Sequence, residues 1–356
     1  MKVLMAGPDR SVHGGISALV NSYYQAGLDT KTDLTYIGTM KEGSKIKKLL
    51  VAACAYLKFC AALPSNDIVH IHLASDNSFW RKSYFIKKAH KQGKKIIIHQ
   101  HGGDFKNYHD NQISSEKKAQ MDEILNMANI LIVLTPSWKE YFSDIVNEEN
   151  IIVIPNGVII PDHAEESSDV MHDMTKILYL GRICKDKGIN ELIDACLVLR
   201  KEIPDLKLLL GGIYETRTPD DIAIRRRIEQ NSDLISYLGW ITGDDKEKAL
   251  NECGICALPS YYEGLPMSVI EAMGYGCISV ASNVGGIPEI ITDNENGILV
   301  QPKNSSDLAE KMAGIINDPD RVCKIKQNAY KKVSEYYSMD VVLTKLMSVY
   351  SELLSP

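Results

Sequence analysis

The sequence lacks the features that identify several large protein classes. Its longest apolar stretch, Leu49 to Leu63, is interrupted by Lys58 and is shorter than the roughly 20 residues that a membrane-spanning helix needs. The first residues turn polar within a few positions, so we expect no secretory signal there. The motifs GxxxxGKS, GxxxxGKT, HExxH and GxSxG are absent, and no GxGxxG follows the first predicted strand. These absences argue against a P-loop nucleotide hydrolase, a zinc protease, an α/β-hydrolase and a dinucleotide dehydrogenase.

The cysteines do not form a metal-binding or disulfide pattern. Of the eight, only Cys253 and Cys256 lie close together, inside an apolar run, and no second CxxC or histidine pair follows at a zinc-binding spacing. We therefore predict that both are reduced core residues and that the protein works in the cytosol.

Length and charge indicate two domains with different partners. A chain of 356 residues suffices for two compact domains, and 45% apolar with 24% charged residues is typical of globular proteins. Residues 1–120 carry 18 Lys and Arg against 9 Asp and Glu, although the whole chain has a net charge of −6. The basic first part is expected to meet an anionic partner.

Short apolar runs alternate with amphipathic helical stretches, which is typical of parallel sheets with helical crossovers. The runs form two series, separated by the acidic stretch Pro161 to Thr175. We predict an α/β protein of two Rossmann-like, doubly wound domains that face a central cleft, where ligands bind. The domains are residues 1–165 and 166–335, and a helix in residues 336–356 is expected to pack back on the first. The predicted strands are Val3–Ala6, Ile68–Ile71, Lys95–His99, Ile130–Leu134, Ile151–Ile154, Lys176–Leu180, Leu206–Leu210, Ile255–Leu258 and Cys277–Ala281.

Loops that follow predicted strands carry candidate phosphate-binding residues. Gly14 and Gly15 open a predicted helix whose free amides suit an anionic group, although a flexible loop explains them equally well. Arg182 and Lys187 precede another predicted helix, where a guanidinium and an ammonium would neutralise a diphosphate without a metal ion. Pro266 suits the first position of a third helix, whose amides would also face phosphate.

Two glutamates flank the start of that third helix. Glu263 and Glu271 are eight residues apart, which is about 12 Å in a helix and exceeds the about 5 to 9.5 Å between the paired carboxylates of a glycoside hydrolase. The span better fits a nucleotide sugar held at both ends, on its ribose and on its sugar hydroxyls. We therefore interpret the two acids as binding groups rather than as a hydrolytic pair.

These motifs, in this order, resemble glycosyltransferase family 4, the retaining enzymes of GT-B fold. The resemblance rests on Glu263 and Glu271 with seven residues between them and covers nearly the whole chain. It also includes Gly181-Arg182, Lys187-Gly188, Gly285-Gly286-Ile-Pro-Glu289, Gly14-Gly15, the strand end His99-Gln-His101-Gly102-Gly103, the segment Pro155-Asn156-Gly157-Val158 and the terminal helix.

The resemblance implies a role for each matching residue. Arg182 and Lys187 bind the donor diphosphate, and Glu271 binds the ribose. Glu263 holds the transferred sugar and His101 lies near it, so these two are the implied catalytic residues. The remaining implied donor contacts are Gly14, Gly15, Gly264, Leu265, Pro266 and Met267. The resemblance also implies retention at the anomeric carbon without a metal ion or any cofactor besides the nucleotide sugar, since fixed cations and helix dipoles stabilise the leaving diphosphate.

The route to retention depends on whether the first half supplies a nucleophile. No carboxylate there is obviously placed as one, so we favour same-face attack, in which the leaving phosphate oxygen takes the acceptor's proton. Asp104, three residues after His101, is the residue that would support double displacement instead.

Two histidine pairs offer a competing interpretation. His70-x-His72 and His99-x-His101 each place two imidazoles on one face near a strand end, and four converging imidazoles could bind zinc. Because no carboxylate partner accompanies them, metal binding is the weaker interpretation, and we predict no metal site.

Basic residues of the first half suggest how an acceptor binds. The stretch Lys41 to Lys58 mixes lysines with apolar residues, and such a helix either lies on an anionic bilayer or packs in the sheet layer with its lysines in solvent. Further basic residues favour the membrane, at about 1 kcal/mol for each lysine near an anionic surface. Arg81 and Lys82 would hold an acceptor phosphate, with Asp104 as a third acceptor residue. Nucleic acid is a weaker interpretation because no nucleic-acid-binding motif is present.

The function predicted from these features is that of a hexosyltransferase-type glycosyltransferase at the cytoplasmic face of a membrane. It would move a hexose or N-acetylhexosamine from a uridine diphosphate sugar to a lipid-linked glycan during the assembly of a surface polysaccharide such as a capsule. Two alternatives stay open. A sugar-nucleotide epimerase of GT-B fold would convert the donor without an acceptor, and a catalytically silent subunit would bind the sugar nucleotide without turnover.

Overall fold

The computed structural model describes residues 1–161, 172–215 and 218–355. The chain forms two compact units, a first of Met1–Ile159 with Ser338–Pro356 and a second of Ile160–Tyr337. The predicted boundary between residues 165 and 166 and most of the predicted linker lie outside the described residues.

The first unit is built on a six-stranded parallel sheet. The strands lie in the order β2-β1-β3-β4-β5-β6, and each of β1, β3 and β4 is buried along nearly its whole length, as expected of a sheet covered on both faces. The strands are β1 (Lys2–Gly7), β2 (Asp33–Gly38), β3 (Ile68–Leu73), β4 (Lys95–Gln100), β5 (Ile130–Val133) and β6 (Ile151–Val153). The helices are α1 (Gly15–Gln25), α2 (Leu28–Lys31), α3 (Lys45–Ala62), α4 (Asn77–Lys91), α5 (Phe105–Asn107), α6 (Ser115–Leu125) and α7 (Pro136–Ser143).

The second unit has its own six-stranded parallel sheet, in the order β12-β11-β10-β7-β8-β9. Cys253 and Cys256 are buried in β10, which confirms that they are core residues. The strands are β7 (Asp173–Leu180), β8 (Lys207–Gly211), β9 (Ile235–Gly239), β10 (Cys253–Leu258), β11 (Ile278–Ser282) and β12 (Ile298–Val300). The helices are α8 (Ile189–Leu199), α9 (Pro219–Gln230), α10 (Asp244–Glu252), α11 (Met267–Gly274), α12 (Ile287–Ile290), α13 (Ser305–Ile316) and α14 (Pro319–Tyr336).

The last helix, α15 (Met339–Leu354), belongs to the first unit. Met339 N donates to the carbonyl oxygen of Val158 at 2.8 Å, and the Tyr350 hydroxyl lies 2.6 Å from Nδ1 of His70 in β3. Its buried side chains recur at helical spacing: Met339, Val342, Leu343, Leu346, Val349 and Tyr350. The end of the chain therefore completes the core of the unit that contains its beginning.

All nine predicted strands are present, and their ends differ from the prediction by no more than three residues. Three further strands, β2, β9 and β12, were not predicted, and each lies at an edge of its sheet. An edge strand has one neighbour instead of two. In β9 three of five residues are exposed, and β12 has only three residues, so neither is an apolar run of ordinary strand length.

In each sheet the order of strand addition reverses at one point. The reversal lies between β1 and β3 in the first unit and between β7 and β10 in the second. Ligands of doubly wound sheets bind at this point, beyond the carboxyl ends of the strands. The loops of residues 181–188 and 259–266 therefore lie where a ligand of the second unit is expected.

Within the described ranges, no helix combines the length and the hydropathy that crossing a bilayer requires.

Candidate functional site

The loop after β7 brings Lys187 against the loop after β10. Lys187 ends a single 3-10 turn, and Gly188 follows it with a positive φ of 68°. A Cβ at Gly188 would lie 2.0 Å from the carbonyl oxygen of Pro259, so glycine is required here. Lys187 Nζ lies 2.5 Å from Glu263 Oε1, and Ser260 Oγ donates to the same oxygen at 2.7 Å. Two predicted site residues, 76 positions apart in sequence, thus form an ion pair.

The Lys187–Glu263 pair is largely removed from water. The two side chains are 14% and 12% exposed, and Coulomb interactions are stronger there than at an exposed surface. An anionic ligand that reaches the ammonium must therefore compete with Glu263.

A second glycine fixes the backbone that carries Glu263. Gly285 has a φ of 54°, and a Cβ there would lie 1.8 Å from the carbonyl oxygen of Glu263. Gly286 N donates to the carbonyl oxygen of Gly264 at 2.9 Å. The Gly285-Gly286 pair of the family resemblance therefore holds the loop that bears the predicted sugar-binding acid.

Arg182 also has a carboxylate partner, which no sequence motif predicted. Its guanidinium donates a hydrogen bond to Glu215, in the segment that follows β8, and its side chain is 46% exposed. Burial opposes its charge, but the Glu215 carboxylate outweighs burial and raises the pKa of Arg182. The only sequence signal for Glu215 was its position after the strand next to β7.

Helix α11 begins one residue later than predicted. Pro266 is the capping residue before Met267, and no side chain in the described part of the chain caps this end, so its first amides are open to an anion. Glu271 accepts a hydrogen bond from Lys246 Nζ in α10 at 2.8 Å, a partner with no motif to reveal it. Residues before Met267 are not helical, so the 12 Å expected between Glu263 and Glu271 does not follow from helix geometry.

The loop after β1 leaves open space around its paired glycines. Gly14 caps α1 and Gly15 begins it, and a Cβ at either would meet nothing within 4 Å. Packing therefore does not require glycine at these two positions, and the structure leaves room for a ligand there.

The two histidine pairs, each expected on one face near a strand end, lie together in the first unit. His72 lies opposite His99 in the β3–β4 register. His70 Nε2 lies 3.3 Å from His99 Nδ1, and His72 Nδ1 lies 2.9 Å from His101 Nε2. Together with the Tyr350 hydroxyl on His70, these contacts connect α15 to the β3–β4 pair. No pattern in the sequence predicted the contact with Tyr350.

Burial keeps these imidazoles uncharged at neutral pH. It lowers the pKa of His70 to about 3, and burial together with the positive charge of Lys82 lowers the pKa of His101 to about 3. Burial also lowers the pKa of His72, followed by the neighbouring imidazoles of His70, His101 and His99 and, as the smallest cause, by Lys82. The implied catalytic histidine is therefore a neutral hydrogen-bonding group.

The predicted acceptor residues lie in α4 and in the loop after β4. Lys82 is buried, and its ammonium donates to Ser78 Oγ at 3.1 Å. Arg81 precedes it in α4 and is half-buried. Asp104 accepts a hydrogen bond from Asn107 Nδ2 at 3.0 Å. Lys82 thus lies near enough to His101 to affect its pKa. The side chain of Asp104, in contrast, accepts its hydrogen bond from a residue of its own turn.

Comparison with known proteins supplies two family matches. Residues 162–332 match the model described as "Glycosyl transferases group 1", and residues 43–160 match the model described as "Glycosyltransferase Family 4".

Curated relatives carry related names. An uncharacterized glycosyltransferase of Methanocaldococcus jannaschii is 30% identical over 62% of this chain and 59% of its own length. The capsular polysaccharide biosynthesis glycosyltransferase CapM of Staphylococcus aureus is 29% identical over 53% of this chain and 49% of its own. The amylovoran biosynthesis glycosyltransferase AmsK of Erwinia amylovora is 24% identical over 89% of this chain and 78% of its own. The chain thus spans about half to three-fifths of the first relatives it matches.

Solved structures show the fold. Sucrose-phosphate synthase of Thermosynechococcus elongatus superposes with a TM-score of 0.78 at 20% identity, over 99% of this chain and 98% of its own. Anabaena HepE with UDP and glucose has a TM-score of 0.75 at 18% identity, over 99% of each chain. These likenesses and the two parallel sheets confirm the predicted GT-B fold.

Proposed function

The chain belongs to the group 1 glycosyltransferases of glycosyltransferase family 4, and we propose that it is a retaining enzyme that moves a sugar from a nucleotide diphosphate sugar to a lipid-linked glycan. The proposed donor is a uridine diphosphate hexose or N-acetylhexosamine. The proposed setting is synthesis of a surface polysaccharide at the cytoplasmic face of a membrane. The observation that carries the proposal is the Lys187–Glu263 pair at the strand-order reversal of the second sheet.

Donor binding is expected to exchange the partners of two cations. A diphosphate carries more charge than a carboxylate and forms charge-assisted hydrogen bonds with guanidinium and ammonium groups. It should therefore displace Glu215 from Arg182 and Glu263 from Lys187. Once released, the Glu263 carboxylate can accept hydrogen bonds from the hydroxyls of the transferred sugar. Without donor, the same carboxylates keep both cations paired.

The names of relatives support the donor and the setting. CapM and AmsK are named for the synthesis of capsular polysaccharide and of amylovoran. HepE was solved with UDP and glucose, and Staphylococcus aureus TarM with UDP. A uridine nucleotide and a polysaccharide product are therefore the first choices to test for this chain.

Same-face attack is the mechanism that the first unit supports best. His101 is uncharged at neutral pH, and its recorded partners are His72 and Asn156, so it can orient a hydroxyl but does not provide a nucleophilic carboxylate. We propose that the leaving diphosphate, stabilised by fixed cations and by the start of α11, takes the acceptor's proton. A glycosyl adduct trapped on Asp104 would instead establish double displacement. Transfer is expected to persist in excess chelator, since side chains serve here as a divalent ion does elsewhere.

Helix α3 supports attachment to a membrane. Ile46, Leu49 and Leu57 are 74%, 72% and 70% exposed, although they are large and apolar. Lysines lie among them in the sequence, and apolar and basic residues on one helix suit the surface of an anionic bilayer. We propose that α3 brings the enzyme to its lipid-linked acceptor. Leu49→Ser should weaken binding to vesicles that contain phosphatidylglycerol, and equal binding to purely zwitterionic vesicles would contradict the proposal.

A panel of nucleotide sugars tests the donor. The preferred donor stabilises the folded protein by RT ln(1 + [L]/Kd), so it should raise the melting temperature more than the other sugars do. That donor is then incubated with and without lipid-linked glycans, and the anomeric configuration of the product is determined. Acceptor-dependent transfer with retention supports the proposal. Conversion without an acceptor would indicate an epimerase, and binding without turnover would indicate a silent subunit.

A further inference from the structure

Two neighbouring cationic side chains of the first unit, Arg81 and Lys82, are buried or half-buried and have no carboxylate partner among the described residues. Lys82 is 1% exposed, and its recorded hydrogen bond is to Ser78 Oγ. Nε of Arg81 is buried without a hydrogen bond. Among residues 1–161, 172–215 and 218–355, no carboxylate oxygen lies within 4.0 Å of either side chain's nitrogens. A buried cation is costly unless it is paired, so this arrangement favours a bound anion.

We propose that Lys82 and Arg81 form a binding site for a phosphate group of the acceptor, beside the imidazoles of His72 and His101. The inference rests on the proposed function for the identity of that ligand. It restricts the acceptor to molecules that bring their own negative charge, such as a glycan joined to lipid through phosphate or diphosphate, and excludes a neutral glycan.

The backbone around these residues has the strain expected of a binding site. Asp76, which caps α4, is a non-glycine residue with a φ of 59°. A Cβ at Gly102 would lie 2.7 Å from the backbone nitrogen of Ser75, so the loops after β3 and β4 are in close contact. Unfavourable backbone conformations that persist are concentrated at ligand sites.

The charge of the neighbours indicates an anion rather than a metal ion. Ligand nitrogens of His70, His72 and His99 all lie within 4.8 Å of one another, a spacing that could also hold a metal. Histidines that bind metal are usually oriented by carboxylates or carbonyls. Here the neighbours that act on His72 are the imidazoles of His70, His101 and His99 and, most weakly, Lys82, whose positive charge would repel a metal cation. Nε2 of His72 and of His99 is buried without a hydrogen bond, and a neutral imidazole can donate from that nitrogen to an anion.

Binding of phosphate should be accompanied by uptake of a proton. Burial, together with the positive charge of Arg81, lowers the pKa of Lys82 to about 7. A bound phosphate would favour the charged ammonium and raise that pKa again. Two other titratable groups, His72 and His101, face Lys82. Their pKa values lie far below neutrality, so both imidazoles stay uncharged. Lys82 is therefore the group that takes up the proton.

The experiment is calorimetric titration of the full chain with inorganic pyrophosphate, with saturating UDP present to occupy the donor site. It is run about one pH unit above the pKa of Lys82, in two buffers of different ionisation enthalpy, so that proton uptake is measured. The variants are Lys82→Met and Arg81→Gln, with Lys91→Met, an exposed lysine of the same helix, as the control. UDP affinity, measured separately, reports on folding and on the donor site.

Wild-type and Lys91→Met protein should bind pyrophosphate with equal affinity and take up a proton. Lys82→Met and Arg81→Gln should bind pyrophosphate at least about tenfold more weakly than the wild type. Any binding that remains in Lys82→Met should occur without proton uptake. No binding by the wild type, or equal loss in Lys91→Met, would overturn the site. Failure to bind UDP would count against the proposed donor instead. Phosphatidylcholine vesicles that contain a long-chain alkyl diphosphate test whether the phosphate belongs to a lipid. Vesicle binding that requires Lys82 supports a lipid-linked acceptor. If the protein binds pyrophosphate but not these vesicles, the lipid-linked acceptor is overturned.

Discussion

Replacing Lys82 by methionine should make the first unit more stable. The ammonium is buried, its recorded hydrogen bond is to Ser78, and its pKa falls from 10.5 to about 7, first because of burial and then because of Arg81. A decrease of that size corresponds to an upper bound of about 5 kcal/mol for keeping the charged form folded. Replacing a buried ion pair by apolar residues of similar volume is either neutral or gains about 1–4 kcal/mol in other proteins. We therefore expect a gain of about 2–4 kcal/mol.

The gain should depend on pH with a definite sign. Below pH 7 Lys82 is charged both in the folded and in the unfolded chain, so the full cost of burial applies. Between pH 7 and 10.5 the folded protein keeps it neutral while the unfolded chain holds the proton, so the cost falls as the pH rises. The gain in stability from Lys82→Met should thus be greatest below pH 7, still nearly full near neutrality, and less than half as large at about pH 9.

Differential scanning calorimetry of the wild type, Lys82→Met and Lys91→Met at these two pH values tests this expectation. Because about 1 kcal/mol moves the midpoint by roughly 2–4 °C in a unit of this size, a gain of about 2–4 kcal/mol should raise the transition by about 4–16 °C near neutral pH. Lys91→Met should leave it unchanged. A destabilised Lys82→Met protein, or a gain that is the same at both pH values, would refute the account of a buried, unpaired ammonium.

Three further substitutions test the contacts around the sites. Glu263→Gln should bind UDP about fivefold more tightly yet lose transfer activity, because it removes the carboxylate that competes with the diphosphate; weaker binding in calorimetry would contradict this exchange. Tyr350→Phe leaves the Nδ1 of His70 without its 2.6 Å partner, so chemical denaturation should show a loss of about 1–3 kcal/mol. Gly285→Ala should lower transfer at least about tenfold because the added methyl group meets the Glu263 carbonyl. Gly243 has a similar φ of 53°, and a Cβ there would meet nothing within 4 Å, so Gly243→Ala should keep its transfer activity. An equal loss of activity in both variants would mean that backbone strain, and not contact with the Glu263 carbonyl, is the cause.

The strands that can be predicted from the sequence are those whose buried residues form one continuous apolar run. Strand β3 is buried at all six residues and β10 likewise, so each reads as an apolar run with turn signals at its ends. Strand β2 is exposed or half-buried at five of six residues. Its membership of the sheet depends on pairing with β1, a contact that no local pattern records.

The same distinction separates the site residues that were predicted from those that were not. Lys187 and Glu263 lie in loops with recognisable glycine and proline spacing, so their sequence positions pointed to a ligand. Glu215 and Lys246 act through single contacts with Arg182 and Glu271. Each sits in a segment with no distinctive pattern, because one ion pair between distant positions needs only one residue of the right charge. Such ion-pair partners can be identified only from the folded structure, in which the sheet brings the two residues close together.

The affinity for UDP of Arg182→Gln and Lys187→Gln tests the central claim most directly, which is that cations of the second unit hold the donor diphosphate. Arg225→Gln is the matched control, since Arg225 is exposed and pairs with Glu229 in its own helix. The account predicts that each of the first two variants binds UDP at least about tenfold more weakly than the wild type while the control does not change. Wild-type affinity in both Arg182→Gln and Lys187→Gln would contradict it.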